Sequence, residues 1–480
     1  MNRKTITIVL ALFLLPIVLR LAWYFPGFDL PRKIATPDYA SLKMPDAPIS
    51  TPQLEDIKQE SGVVLLDYSH SNQFKPSEFQ TMTDALTRRG ARVETNSDSA
   101  QLESQLKYAS SYVVVSPSAN FTADETRLIL DFERRGGRLA FFTDATRGLL
   151  YTDYVSGSPV VLPDTDIVNP LLESFGLSFN NDYLYNLTDN EGNFRNVFFE
   201  QFGKSDLTWG LKKITLYGAH SLKTDSGLAL LVGSGKTLSS GTDATPGNDP
   251  KQGWAASALS ADGNVLAVGD FTFMQTPYNT VADNNTFINN IADSLVGGTR
   301  QVTLSDFPFV FKGSAANILP TSNVQMTAEM TGALSRLQTE LKMLNVGMKI
   351  SETASDGDTI VLGTFSPSDD LTKYIDAFNL KLDDASEFVE IPQFRKLGRA
   401  GNGIILFSAG KSGNTIVLLA DTVTDLTTLM DTLSSGSLSG CVLQNDIGVC
   451  SIGSGGSFST TPVTPTPAEN ETPTPTAGAG

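Results

Sequence analysis

The sequence predicts an α/β protein in which a parallel sheet is covered by helices on both faces. Residues Gly62–Leu66 form an unbroken apolar run. Such a run cannot alternate between a buried and a solvated face, so both faces of this strand are expected to be covered. Further strand patterns follow at Arg92–Thr95, Tyr112–Val115 and Arg138–Thr143, and helical patterns separate them. This alternation is typical of right-handed crossovers within one parallel sheet.

Chemical signals mark the ends of several helices in this region. Thr122 and Glu125 precede an apolar-periodic segment and predict a capping box, in which each side chain binds the other residue's backbone amide. Asn264–Phe273 repeats the buried-strand pattern of the opening run. The residues after it predict a helix over Thr286–Leu295 with Asn285 as its N-cap.

Length and charge limit the class of protein. The chain has 480 residues, 40% of them hydrophobic, and is therefore long enough for several domains with substantial cores. We expect an α/β domain over residues 61–298 and a smaller α+β domain over residues 299–453. The 52 acidic and 35 basic residues give a formal net charge of −17. A nucleic-acid-binding protein needs a clustered basic face, so this class is excluded.

Residues 1–25 predict a transmembrane anchor. Thr5–Leu19 contains no charged residue, and a helix from Thr5 to Phe25 would be about 31 Å long, enough to cross a bilayer core of roughly 30 Å. Arg3 and Lys4 place the N-terminus in the cytoplasm by the positive-inside rule. The alternative is a cleaved signal peptide, but bulky aromatic residues stand where the small residues of a cleavage site belong. We therefore expect a single-pass protein of the cell membrane with an extracytoplasmic body.

Two segments lack the patterns of a folded domain. Residues 26–60 are rich in Pro, Asp and Lys and predict a stalk, and residues 454–480 are rich in Thr, Pro and Gly and predict a disordered tail. The only two cysteines, Cys441 and Cys450, stand close together near the end of the second domain. In an exported chain this predicts a disulfide, because two thiolates without further ligands do not complete a zinc site.

One helix dominates the pattern of the second domain. Its apolar residues recur three and four positions apart, at Met330, Leu334, Leu337, Leu341 and Leu344. This stripe could form a coiled-coil seam, but it is barely two heptads long and predicts a core-facing helix. The later segments predict strands over residues 359–362, 404–407 and 415–419 and helices over residues 370–378 and 422–433.

Polar side chains follow the predicted strands at their carboxyl ends, where ligands bind in open α/β sheets. With neighbouring carboxylates, His70 could act as a general base or help to bind a sugar, an amide or a divalent cation. The alternative is that Asp67 and His70 only hydrogen-bond the loop backbone. The candidate ligand- or partner-binding residues are Asp67, His70, Asn72, Ser116, Asp144, Asp270, Asn279, Asp283 and Asn284.

Other polar residues have simpler explanations. His220 lies in the weakly patterned segment YGAHSLKT and is expected to be a surface residue. The densest polar cluster consists of Asp270, Asn279, Asp283, Asn284 and Asn285, but Asn and Asp commonly make turns and cap helices. The cluster therefore indicates either an ordinary turn or a loop that recognises a ligand or a partner chain.

Four stretches resemble the class I glutamine-amidotransferase-like superfamily: LLDYSHSN, VVVSPSANFTADETRLILDFERRGGRLAFFTD, NPLLESFGLSF and GNVLAVGDFTFMQTPYNTVADNNTFINNIADSL. More narrowly, they resemble the extracytoplasmic DUF4350-type and gliding-motility-type auxiliary proteins of ABC transporters. The resemblance covers roughly residues 60–298 and implies a flavodoxin-like fold. It departs at the nucleophile, because amidotransferases use a Cys and this domain has none. Ser116 is the nearest candidate by position, but Pro117 follows it and no G-x-S-x-G elbow surrounds it.

These observations predict a non-catalytic, membrane-anchored binding or scaffold protein, auxiliary to an ABC-type transporter or another envelope complex. We expect no cofactor and no metal, and the small-molecule ligand is not identified. The alternative is a hydrolase or carbohydrate-processing enzyme that uses His70 with Asp67 and Asp144. An accessible cavity beside His70 would favour the enzyme, whereas a sealed His70 would favour the binding protein.

Overall fold

The computed structural model describes residues 2–24, 62–244, 246, 253–353, 357–391, 394–435, 438, 440–444 and 446–453. The chain divides into two compact units, Met1–Asp56 and Ile57–Gly480. The predicted stalk over residues 26–60 and the predicted tail over residues 454–480 lie outside the described residues.

In the described part of the first unit, residues 2–24, helix α1 spans Arg3–Tyr24. It is long and apolar enough to cross a membrane by length and composition, a property that signal sequences share. Pro16 lies inside it, and such a proline is tolerated in membrane-spanning helices. The predicted apolar helix is confirmed, and its role as an anchor is taken up below.

The second unit begins with a large sheet that occupies most of the predicted α/β domain. Its strands and the short strand pairs beside it are β1 (Val63–Asp67), β2 (Arg92–Asn96), β3 (Ser111–Val115), β4 (Arg138–Phe142), β5 (Leu149–Thr152), β6 (Pro159–Leu162), β7 (Leu177–Phe179), β8 (Leu184–Tyr185), β9 (Asn196–Phe199), β10 (Gln201–Phe202), β11 (Ile214–Tyr217), β12 (Leu222–Thr224), β13 (Leu228–Val232), β14 (Leu238–Ser239), β15 (Ala255–Leu259) and β16 (Val265–Val268). The helices are α2 (Gln80–Arg88), α3 (Leu102–Leu106), α4 (Ala123–Arg134), α5 (Asp164–Leu172) and α6 (Asn284–Val296).

The sheet is parallel in one part and antiparallel in the other. Strands β2, β1, β3, β4 and β16 lie side by side in that order and run parallel. Beyond β16, the strands β15, β13 and β10 pair antiparallel. The prediction of a wholly parallel sheet was therefore correct only for the five parallel strands. Strands β15 and β16 are joined by a tight turn, and so short a connection can only link antiparallel neighbours.

Helices cover both faces of the parallel strands, as predicted. Val64 and Leu66 point to one face and share a core with α2 and α6. Leu65 points to the opposite face and shares a core with α3, α4 and α5. The alternation of these three residues is the period of two expected in a strand, and burial on both faces accounts for the unbroken apolar run.

The helix starts show one correct prediction and one error. Thr122 Oγ1 accepts a hydrogen bond from the Glu125 amide at 3.2 Å, and the Thr122 amide donates to Glu125 Oε2 at 2.7 Å, so the capping box is confirmed. The predicted N-cap Asn285 was wrong, because α6 already begins at Asn284. The Asn285 side chain instead accepts a hydrogen bond from Asn279.

A second sheet of seven strands lies in the C-terminal region, in the order β18-β17-β19-β23-β22-β25-β24. Four strands, β18, β17, β19 and β23, run parallel, whereas β22, β25 and β24 pair antiparallel, so the sheet of this region is mixed. Its elements are β17 (Ala315–Pro320), α7 (Ala328–Met343), β18 (Gly347–Ile350), β19 (Thr359–Thr364), α8 (Asp369–Ile375), β20 (Phe388–Ile391), β21 (Arg395–Gly398), β22 (Asn402–Ala409), β23 (Asn414–Ala420), α9 (Val423–Ser434), β24 (Cys441–Gln444) and β25 (Ile447–Ser451).

Two predictions for this region are confirmed. Met330, Leu334 and Leu337 on α7 are buried in the core beneath the sheet, so the apolar stripe faces the protein interior. Cys441 and Cys450 form a disulfide between the adjacent strands β24 and β25.

An ion-pair cluster joins the two sheet-bearing regions. Asp306, which is 1% exposed, lies 2.6 Å from Arg135 Nη1 at the end of α4 and 2.9 Å from Arg300 Nη1. Its Oδ2 also accepts a hydrogen bond from the Thr303 amide at 2.8 Å. Arg135 thus connects the first region to the segment that leads into the second.

Candidate functional site

The first predicted site residues, Asp67 and His70, do lie together at the carboxyl end of β1. His70 Nδ1 lies 3.0 Å from both carboxylate oxygens of Asp67. On its other side, Nε2 lies 3.4 Å from Glu125 Oε1, and the ring stacks on Phe121 with a centroid distance of 3.9 Å. The His70 ring is therefore held between two carboxylates and covered by an aromatic ring.

This arrangement determines the charge of His70. Burial alone would lower its pKa, but the hydrogen bond and charge of Asp67 and the charge of Glu125 together outweigh burial and raise the pKa. A protonated imidazole between two carboxylates is a clamp that fixes the loop after β1 against α4. Acting as a general base would require it first to lose its proton and its carboxylate contacts.

Asn72 and Ser116 extend the same structure. Asn72 donates from Nδ2 to the Val115 carbonyl at 2.9 Å and so ties the loop after β1 to the end of β3. Ser116 is buried with a positive φ of 37°, a conformation that non-glycine residues seldom adopt. Its Oγ has no hydrogen-bond partner among the described residues. Since the hydroxyl is sealed, Ser116 is not presented as a nucleophile.

Asp144 and Asp270 form a separate group, at the ends of β4 and β16. Thr272 bridges them, because its hydroxyl donates to Asp144 Oδ2 at 2.8 Å and its amide donates to Asp270 Oδ1 at 2.8 Å. Burial, followed by the charge of Asp144, raises the pKa of Asp270. Strand β3 lies between β1 and β4, so Asp67 and Asp144 are separated by about two strand spacings, roughly 10 Å. The structure thus does not bring His70 together with Asp144 and Asp270.

The Asn and Asp cluster before α6 braces the backbone. Asp283 Oδ2 accepts from the amides of Lys212 and Lys213, at 2.7 and 2.9 Å. Asn284 is buried, accepts from the Thr215 amide at 3.0 Å and donates to the Thr215 carbonyl at 2.9 Å. These bonds fix the segment before β11 against α6, as ordinary turn chemistry would.

The structure places an unexpected site at His220. The prediction that His220 is a surface residue was wrong, since only 2% of it is exposed. Its amide donates to the carbonyl of Gly269, at the end of β16, at 2.8 Å. A side-chain carbon on Gly269 would collide with the His220 backbone. The residue therefore lies against the carboxyl end of the parallel strands because a glycine permits that close approach.

His220 lines a cavity of about 170 Å³. The segments before and after the β5–β6 hairpin form part of its wall, and the segment around β8 and a residue after β14 form the rest. The lining residues are Asp144, Ala145, Gly148, Val161, Pro163, Asp164, Asn181, Asp182, Tyr183, His220 and Ser240.

Two of the three cavity carboxylates are fully engaged. Asp144 accepts from the Thr146 amide at 2.9 Å and from Arg147 Nε at 3.2 Å, in addition to Thr272. Asp182 accepts from both the amide and the hydroxyl of Ser221, each at 2.7 Å. Each oxygen of these two carboxylates thus accepts at least one hydrogen bond from the protein.

His220 and Asp164 are the exceptions. Asp164 Oδ2 accepts from the Asp144 amide at 2.9 Å, but its Oδ1 has no hydrogen bond among the described residues. His220 Nε2 lies 3.4 Å from that oxygen and Nδ1 lies 4.0 Å from Asp182 Oδ1. Within the described part of the chain neither ring nitrogen makes a hydrogen bond. The cavity is thus lined by a buried ion pair, His220 and Asp164, in which three polar atoms have no hydrogen bond among the described residues.

Electrostatics favour a protonated His220. Burial alone would lower its pKa, but the close side-chain contact with Asp164, followed by the charges of Asp164, Asp182 and Asp144, outweighs burial and raises the pKa. Among the described residues, no group of three or more His, Cys, Asp or Glu side chains is arranged to hold a metal ion. The lining includes Asp144, Asp164, Asp182 and His220, whose charges suit the cavity to hydrogen bonding and charge recognition.

No sequence pattern indicated this site. His220, Asp164 and Asp182 come from three segments that are far apart in sequence, in a region of short strands without sustained periodicity. The one local signal is the buried strand Ile214–Tyr217 shortly before His220, which places the histidine near a strand end.

The fold and site together define a mixed α/β protein with a polar cavity at the carboxyl ends of its parallel strands. No family model and no curated protein matches the chain. Among solved structures, the N-terminal domain of mmIFT52 is 14% identical, over 50% of this chain and 99% of that chain, with a TM-score of 0.36. A ThuA-like protein from Bacteroides uniformis is 11% identical, over 49% of this chain and 90% of its own, with a TM-score of 0.30. A second ThuA-like protein, from Parabacteroides merdae, is 12% identical, over 51% of this chain and 94% of its own, with a TM-score of 0.25. At these TM-scores the likeness assigns neither a fold family nor a function.

Proposed function

We propose that this chain is a membrane-anchored extracytoplasmic binding protein that holds a small ligand in the His220 cavity without transforming it. In this proposal α1 is the single-pass anchor, with its N-terminus in the cytoplasm. The α/β domain is a flavodoxin-like member of the amidotransferase-like superfamily, of the DUF4350 type, that lacks the nucleophile. The protein works as an auxiliary subunit of an ABC-type transporter or another envelope complex.

The observation that supports ligand binding is the buried pair of His220 and Asp164. Three of their polar atoms, both ring nitrogens of His220 and Oδ1 of Asp164, have no hydrogen bond among the described residues. Leaving a buried polar group unsatisfied costs about 1–3 kcal/mol. A cavity of about 170 Å³ adjoins them, which is ample for ordered water or a small ligand. A bound ligand would supply the missing hydrogen bonds.

Two features favour binding over catalysis. The cavity is lined by no cysteine or lysine, and the Oγ of Ser240 already accepts a hydrogen bond from the Tyr183 amide at 2.8 Å. The hydrolase built on His70, Asp67 and Asp144 has less support, because His70 faces carboxylates on both sides and Asp144 lies beyond the next strand. Nucleophilic catalysis needs an activated, accessible nucleophile, and neither site presents one.

The location in the cell envelope is supported by α1 and by the disulfide. The helix is apolar over a membrane-spanning length, and Cys441 and Cys450 are bonded. Disulfides persist in oxidising compartments outside the cytoplasm. The body after residue 25 is therefore proposed to be extracytoplasmic.

Ligand binding is tested by thermal unfolding of the full chain in lipid nanodiscs. A fractionated small-molecule extract of the cell envelope should raise the unfolding midpoint of the wild type but not of His220→Gln. A shift of equal size in both proteins, or in neither, would contradict the proposal. The partner is tested by crosslinked capture from native membranes, with a chain lacking residues 60–298 as the control. A permease or envelope protein should be captured by the full chain only.

A further inference from the structure

We propose that the His220 cavity binds a small uncharged molecule that presents a hydrogen-bond donor beside an acceptor, as a polyol does. This inference rests on the proposed ligand-binding function and specifies the chemical class of the ligand. It follows from the three polar atoms without hydrogen bonds, from the charges around them and from the size of the cavity.

The unused atoms require both a donor and an acceptor from the ligand. Asp164 Oδ1 can only accept a hydrogen bond, whereas a protonated His220 can only donate from its two ring nitrogens. The nearest atoms of the two side chains are 3.4 Å apart and do not bond each other in good geometry. A hydroxyl group that lies beside both atoms donates to Asp164 and accepts from His220 at once. An amide group does the same with its N–H and its carbonyl.

The surrounding charges disfavour an anion. The carboxylates of Asp144, Asp164 and Asp182 face two cations, Arg147 beside Asp144 and the imidazolium of His220. Arg147 also pairs with Glu78, so the site keeps an excess of negative charge even with His220 protonated. A phosphate or carboxylate ligand would meet this negative charge beside buried carboxylates, where charges are poorly screened.

A cationic ligand is also disfavoured, for a different reason. An ammonium group would pair first with Asp164 Oδ1, because every oxygen of Asp144 and Asp182 already accepts a hydrogen bond from the protein. It would then lie against the imidazolium of His220, which already forms an ion pair with Asp164. Binding a cation would therefore require His220 to release its proton.

The cavity size limits the ligand to a small molecule. Sites for drug-sized ligands have volumes of about 300–1,000 Å³, and this cavity is smaller, at about 170 Å³. Tyr183 and Val161 contribute apolar surface to the wall. A ring or short chain with several hydroxyl groups would present both an apolar face and the required donor–acceptor pairs.

The test compares four molecules that share one sugar ring and differ in charge: glucose, glucuronamide, glucosamine and glucuronate. The full chain in nanodiscs is labelled with carbon-13 at the histidine Cε1 positions and titrated with each molecule by NMR. The chain has only two histidines, so the His70 signal is an internal reference for the His220 signal. Substituting either histidine assigns the two signals.

The expected result is a saturable shift of the His220 signal with the uncharged glucose, glucuronamide or both, while the His70 signal stays in place. His220 should remain protonated when the ligand is bound. Tighter binding of glucosamine with loss of the His220 proton, or tighter binding of glucuronate, would overturn the uncharged class while leaving ligand binding intact. If none of the four moves the His220 signal and the envelope extract stabilises neither protein, both the inference and the proposed function fail.

A matched pair of variants checks the role of Asp164. Asp164→Asn keeps an oxygen for the Asp144 amide but removes the charge-assisted bond to the ligand, so affinity should fall roughly tenfold. Asp243→Asn removes an exposed carboxylate a few residues beyond Ser240 and should leave affinity unchanged. Equal affinities in the two variants would contradict a ligand held at Asp164, provided that both fold with wild-type unfolding midpoints.

Discussion

Replacing Asp306 by Asn should strongly destabilise the junction between the two sheet-bearing regions. Asp306 is 1% exposed and pairs with Arg135 at 2.6 Å and with Arg300 at 2.9 Å. Asparagine keeps the shape and can still accept from the Thr303 amide, but it removes the negative charge. Removing one partner of a buried ion pair typically costs about 3–5 kcal/mol, because the remaining charge is left uncompensated. We expect about 3 kcal/mol, since Arg135 keeps a second partner in Asp131 at 3.0 Å.

The assay is urea unfolding of the full chain in nanodiscs, followed by circular dichroism. The matched control is Asp431→Asn, which breaks the pair of Asp431 with Arg336, whose side chains are 41% and 57% exposed. An exposed pair contributes only about 0–1 kcal/mol, so this variant should unfold almost like the wild type. A loss below about 1 kcal/mol for Asp306→Asn would refute the idea that this buried charge holds the junction together.

Three further predictions test other parts of the fold. Burial, followed by a hydrogen-bonded carboxyl neighbour, raises the pKa of Glu133 to about 7, above its unfolded value near 4.3. The stability that Glu133 contributes is therefore present below about pH 4.3 and is lost as the pH rises through about 7. Glu133→Gln should remove roughly 1–3 kcal/mol of this pH dependence, measured as the free energy of urea unfolding between pH 5 and 8. An unchanged dependence of the unfolding free energy on pH would contradict the raised pKa of Glu133. Ser116→Gly relieves the positive φ and should leave the unfolding free energy unchanged or up to about 1 kcal/mol higher, whereas a clear loss would show that the hydroxyl is needed. Gly269→Ala drives a carbon into the His220 backbone and should cost about 1–3 kcal/mol, whereas Gly235→Ala, in open space, should cost little; equal costs in urea unfolding would argue against the close approach.

The sequence predicted correctly those elements whose structure depends on residues close together in the chain. The apolar run at β1 predicted burial on both faces, and Thr122 with Glu125 predicted the start of α4. Both signals depend only on residues that are close together in sequence. The stripe on α7 and the disulfide between Cys441 and Cys450 were predicted for the same reason.

Strand direction and side-chain partners were harder to predict. The antiparallel strand β15 has the sequence AASAL, without the Val- and Leu-rich run of β1, and its direction depends on which strand it pairs with. Asp283 and Asn284 were expected to recognise a ligand or make turns, and only the distant amides of Lys212 and Thr215 show that they brace the backbone. These contacts join residues far apart in sequence, which a local pattern does not contain.

The two histidines are equally buried and differ in their hydrogen bonds. His70 Nδ1 makes hydrogen bonds to Asp67 and its Nε2 lies 3.4 Å from Glu125, so its ring is held between two carboxylates of the protein. His220 is equally buried, yet neither nitrogen has a hydrogen bond among the described residues. Such a group lowers stability unless something else satisfies it. Since Asp164 has an unused oxygen beside the same cavity, the simplest physical explanation is a bound molecule that bonds to both.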